Sequence, residues 1–160
     1  MTEAVLEAIL ALLQGAGLNA LANFPDKALR RDGVIVCAGV RELRLLSSGA
    51  GEYLGTRERG SLISELYGFR LELLLNLDIY TPVGEANPCD GAFRLIEEAL
   101  GRAPAGLRVT ELSRGAAVWD RETEMLLCPV TLRCSAYLLA EETEEPGEFS
   151  DFILKGVLKA

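Results

Sequence analysis

Apolar residues recur at helical spacing near the start of the chain, where Val5, Leu6, Ile9, Leu10 and Leu13 share one face of the segment Glu3 to Gln14. Thr2 is placed as its N-cap, and Gly15 and Gly17 act as stop signals. The period then changes. After a short connection at Asn23-Phe24-Pro25-Asp26, the run Val34 to Cys37 and the mixed stretch Val40 to Leu46 predict two short strands or one bent one, with Gly39 as a candidate bulge. The clearest alternation follows: Phe69, Leu71, Leu73, Leu75, Leu77 and Ile79 fall on one face, and Arg70, Glu72, Asn76 and Asp78 on the other. Between these strands, Ser47 to Ser64 is rich in glycine, serine and charge and is expected to be a long loop.

A second helix is predicted from Pro88 to about Leu100, with Asn87 as cap, Asp90 in its first turn and Gly101 as its stop. Beyond it the period of two returns at Leu107 to Leu112, Ala116 to Trp119 and Met125 to Leu139, with a polar turn at Asp120-Arg121-Glu122-Thr123. These elements imply an α+β fold, a mainly antiparallel sheet packed with two helices, in the order α-β-β-β-α-β-β-β plus a C-terminal strand. The organisation expected is a single domain over 1–140, an acidic linker over 141–148 and a C-terminal arm over 149–160. A strand carried on a linker needs an acceptor, either this domain's own sheet or the edge of a neighbouring subunit.

Composition narrows the functional classes. With 160 residues, 49% of them hydrophobic, the chain has ample material for one core. Its apolar runs are too short or too interrupted by charge to cross a bilayer, and its N-terminal stretch lacks the basic region of a signal peptide, which together predict residence in a cytoplasm. Asp and Glu outnumber Lys and Arg by 24 to 16, and a net charge of −8 disfavours binding to a phosphate backbone.

The residues usually recruited for catalysis are sparse. Histidine is absent, and there is no dinucleotide-binding glycine pattern, P-loop or nucleophile elbow. Cys37, Cys89, Cys128 and Cys134 form no C-x-x-C pair, so reduced and mostly buried thiols are expected rather than a zinc site or a nucleophile. Cys128 and Cys134 share strand parity and point to one core. Glu97-Glu98 reads as a solvated helix face, and Trp119 as a half-exposed hairpin residue. No catalytic residue, metal ligand or cofactor site is assigned. The remaining candidates are interface residues: Tyr53, Arg57 and Arg59 on the glycine-rich excursion, where a mobile surface loop is the competing reading, and Phe152 and Leu154 on the terminal strand.

The order of elements, together with phrases such as Glu65-Leu66-Tyr67-Gly68, Leu77 to Pro82, the helix Gly91 to Leu100 and the hairpin through Trp119-Asp120 into Pro129 to Leu132, resembles the tail terminator or tail-completion proteins of long-tailed phages and prophages. The similarity extends to about Leu139 and rests on element order rather than on a diagnostic motif. It implies a homo-oligomeric ring, often a hexamer, that caps the tail tube and meets the head-proximal connector proteins. It also implies assembly in the bacterial cytoplasm, incorporation into the virion tail where the prophage is active, and no catalysis, membrane association or specific nucleic-acid binding. The excursion Ser47 to Ser64 would contact neighbours or the ring lumen. Competing readings are another tail or baseplate component, a host small-molecule-binding or regulatory α+β domain, and an enzyme with a cysteine nucleophile.

Overall fold

The computed structural model describes residues 2–22, 33–47, 49, 53–84, 88–104, 106–141 and 152–154. Among the described residues, two helices pack on one face of a nine-stranded, mostly antiparallel sheet, the α+β arrangement that the alternating periods imply. Helix α1 (Thr2–Gly15) buries the stripe Val5, Ile9 and Leu13, and α2 (Pro88–Leu100) buries Ala92, Ile96, Ala99 and Leu100. Pro88 opens α2, where its missing N–H costs nothing, and Asp90 sits in the first turn against the positive end of the helix dipole.

The spine of the sheet is β4 (Leu62–Thr81), 20 residues long. One side of it pairs with β2 (Ile35–Ser47) and then, farther along, with β3 (Tyr53–Arg59). The other side pairs with β7 (Met125–Cys128) and β8 (Val130–Glu141). The short β1 (Asn19–Leu21) lies parallel to β2, while β5 (Arg108–Arg114) and β9 (Phe152–Leu154) flank β8 and β6 (Val118–Asp120) flanks β7.

Strand parity sorts the side chains. Leu71, Leu73, Leu75, Leu77 and Ile79 are buried under the helices with Val36, Ala38, Leu132, Cys134 and Ala136, their partners or near partners across the ladders. Residues of the other parity, including Arg70, Glu72, Asn76 and Asp78, face the uncovered side. Fully burying a leucine or isoleucine contributes about 1.5–3 kcal/mol, so this layer holds the helices to the sheet.

Several sequence expectations are corrected. The segment Ser47 to Ser64 is not a long loop: Tyr53–Arg59 and Leu62–Tyr67 form a hairpin closed by the two residues Gly60 and Ser61, with Gly60 supplying the positive φ of +64° that the turn requires. The strand predicted from Phe69 therefore begins at Leu62, and β1 is an additional strand. Among the described residues four strands, rather than three, precede α2.

Val34 to Leu46 resolves as one strand, with its bulge between Val40 and Glu42 rather than at Gly39. Gly39 instead permits a close approach, since a Cβ there would lie 3.0 Å from Oδ1 of Asn76, the residue opposite.

The predicted run Met125 to Leu139 is divided at Pro129, which has no N–H to give to the ladder. Its register against β4 is nevertheless continuous, from Thr81 opposite Leu126 to Leu66 opposite Glu141. The connection at 23–26, the cap at Asn87 and the linker over 142–148 lie outside the described residues. The terminal strand adds to the protein's own sheet, with Phe152 opposite Ala140 and Leu154 opposite Leu138.

Candidate assembly surfaces

Element lengths create the first candidate surface. At about 3.3 Å per residue β4 spans roughly 66 Å, whereas α1 and α2, with 14 and 13 residues at about 1.5 Å each, span only about 20 Å. Helices of that size cannot cover such a strand. The overhang consists of β3, the first third of β4 and the far end of β2. On the helix-bearing side it exposes Leu45 (51%), Tyr53 (48%), Ile63 (63%) and Phe69 (40%). Leu45 stands opposite the buried Leu71, so it continues the core's own face into solvent. Apolar groups clustered in this way are a recognised feature of interaction surfaces.

Tyr53, the first residue of β3, is held by an edge contact with Tyr67, the residue opposite it, with ring centroids 5.7 Å apart and planes inclined at 66°. The Tyr67 hydroxyl donates to Glu65 at 2.5 Å. Arg57 lies opposite Ser64 and Arg59 opposite Leu62, nearer the hairpin tip. All three residues singled out on the excursion thus occupy a strand rather than a loop.

Register also unites residues distant in sequence. Tyr53, Tyr67, Ala140 and Phe152 form one row across four strands, and Phe69, Leu138 and Leu154 form another beside it. Three strand spacings place the backbones of Tyr53 and Phe152 about 14 Å apart. Arg57 and Arg59 are not brought into these rows.

The uncovered face of the sheet is different in character. Arg70 pairs with Glu72 at 3.0 Å, Arg133 with Glu111 at 3.1 Å and Arg44 with Glu42 at 3.8 Å, all partly solvated. Such pairs contribute about 0–1 kcal/mol each, so they dress the surface more than they stabilise it. All of these residues but Glu111 line a groove of about 800 Å³, together with Arg108 and Tyr137. Four arginines and two glutamates line it, so the net acidity of the chain is not concentrated there.

The third feature is a set of open strand edges, since among the described residues β1, β3, β6 and β9 each pair on one side only. Among the described residues, no strand pairs with the outer side of β2 beyond Cys37 or with the outer side of β5. Unpaired N–H and C=O groups on such edges are templates for another chain.

All four cysteines are buried and none forms a disulfide. Cys89, Cys128 and Cys134 belong to the main core, as the shared parity of the last two implies. Burial, reinforced by the carboxylate of Asp78, raises the Cys37 thiol to about 11, and burial alone raises Cys134 to about 11. Burial and the neighbouring Cys89 also raise Cys128. These shifts hold the thiols protonated at neutral pH, opposite to the activation a nucleophile needs. Tyr80 is likewise raised to about 12, first by burial and then by Cys37, Asp78, Asp120 and Glu122.

Among the described residues, no group of His, Cys, Asp and Glu is arranged to hold a metal ion, and no helix is long and apolar enough to cross a membrane. Trp119 on β6 is half exposed, as its place before a turn predicts. The sequence reasoning missed Leu45 and Phe69, because apolar residues within strand-like runs read as core and only the brevity of the helices leaves them uncovered, and it missed Ile63 because that residue falls in the stretch read as a loop. No family model matches this chain, and no curated protein matches its sequence.

Proposed function

We propose that this protein is a structural assembly subunit that forms a homo-oligomeric ring, acting as a tail terminator or tail-completion component at the end of a phage or prophage tail tube. The observation that carries the reading is the overhang, with Leu45, Tyr53, Ile63 and Phe69 exposed on the face that elsewhere forms the core. A monomer gains nothing by presenting this surface to water, and a neighbouring subunit or tube protein would cover it.

The raised thiols support a role without chemistry of its own. The resemblance in element order supplies the tail context, with the tube and the head-proximal connector as the expected partners. Sedimentation velocity over a range of concentrations, with electron microscopy of the largest species and co-sedimentation with tail tubes, tests the reading. Rings, alone or on tube ends, are expected; a chain that stays monomeric and never binds tubes contradicts it.

A further inference from the structure

We propose that the outer edge of β5 in one copy pairs antiparallel with the outer edge of β2 in the next, setting Leu112 opposite Leu43 and Glu111 opposite Arg44, so that the sheet continues from subunit to subunit. This interface deepens the ring reading and rests on it.

Strand directions allow the junction. β2 and β8 both run antiparallel to β4, and β5 runs antiparallel to β8, so β5 and β2 point in opposite directions at the two margins of one sheet. Copies placed side by side in the same orientation therefore meet as an antiparallel pair.

The faces also match. Residues directly opposite one another share a face. Leu43 is opposite Leu73 and Leu112 is opposite Leu132, so both leucines lie on the helix-bearing side. Arg44 is opposite Glu72 and Glu111 is opposite Arg133, so both charges lie on the uncovered side. A single register thus pairs apolar with apolar on one face and positive with negative on the other. Leu43 is exposed while Leu112 is already packed against the core, so the junction would extend the existing hydrophobic layer. Arg44 is held only loosely, with Glu42 at 3.8 Å, and is free to reorient.

The alternatives satisfy less. Pairing β5 with another β5 about Glu111 sets like charges opposite each other. Pairing β2 with another β2 about Leu43 is compatible in charge but closes as a two-fold dimer and leaves both β5 edges open. Joining β2 to β5 uses unlike edges, so it propagates head to tail and leaves neither of these two edges open once the ring closes. The bulge at Arg41 and the charges beside it guard β2 against indiscriminate pairing while leaving this register permitted.

Cysteine cross-linking tests the arrangement, because residues directly opposite have Cβ atoms only about 4.5–5.5 Å apart. The variants are Leu43→Cys, Leu112→Cys and the double variant, with the native chain, whose four thiols are buried, as control. Under oxidation the double variant should give a ladder of covalent multimers, and an equal mixture of the single variants should give dimers. Neither single variant should cross-link alone. In a second arm, Arg44→Glu should weaken association by at least about tenfold, and adding Glu111→Arg in the same chain should restore it.

Dimers from Leu43→Cys alone would overturn the proposal in favour of a two-fold β2 pair. Rings visible by microscopy without any cross-linking would overturn this interface and leave the ring reading standing. A chain that is monomeric at every concentration, and on tubes, would overturn both.

Discussion

Alkaline pH should loosen this protein through its thiols, and the size of the effect follows from their burial. The folded state holds the protons of Cys37 and Cys134 more tightly than the unfolded chain does, at about 11 against an ordinary value near 9. Their contribution is therefore fully present below pH 9 and is lost as pH rises from 9 through 11. Each displacement corresponds to at most about 2.7 kcal/mol, and allowing for water near the sheet margin about 1–2 kcal/mol per thiol is expected. Tyr80 adds a loss in the same direction between pH 10 and 12.

Urea denaturation from pH 7 to 10.5 measures this directly, as a midpoint that is flat to about pH 8.5 and falls beyond it. The same shift lowers the thiolate fraction of Cys37 and Cys134 at pH 8 from about one in ten to about one in a thousand, so alkylation of these two residues in the folded protein should run at least about 100-fold slower than in the urea-unfolded chain. One thiol reacting rapidly at neutral pH, and losing that advantage on unfolding, would refute the reasoning and reopen a cysteine-based activity.

Other perturbations have definite outcomes. Leu75→Ala, at a fully buried position on the central strand, should cost about 3–5 kcal/mol by denaturant titration. Gly115→Ala should cost about 1–3 kcal/mol, because the new Cβ would lie 2.9 Å from Cγ of Pro129 where the Gly115 N–H bonds the Pro129 carbonyl at 2.8 Å; calorimetry would register a lower Tm. Ile63→Lys, on the overhang, should leave stability within about 0.5 kcal/mol while reducing self-association in sedimentation.

The fold was legible wherever one face of an element is buried. Periods of 3.6 and 2 marked α1, α2 and the second half of β4, because burial imposes alternation on the sequence. The hairpin of β3 with the start of β4 escaped for the opposite reason. It runs beyond the helices, and Tyr53 to Arg59 carries no apolar rhythm, although Leu66 on its β4 arm is buried. The turn signal Gly60-Ser61 was present, but without alternation on either side it reads as loop. Tyr53, expected on a loop, lies exposed on a strand. Its alignment with Phe152 depends on pairing through Ala140, which no local pattern encodes. The surface residues Leu45 and Phe69 look identical in sequence to core residues such as Leu71. What separates them is the length of α1 and α2 against that of β4.

The most direct test of the account compares the assembly of the native chain with that of the double variant Leu45→Asp, Phe69→Asp by sedimentation velocity and electron microscopy, with circular dichroism to establish that both are folded. The account predicts rings from the native chain, free or on tail tubes, and folded monomers from the variant. Equal assembly by the two chains, or a native chain that remains monomeric with and without tubes, would contradict it.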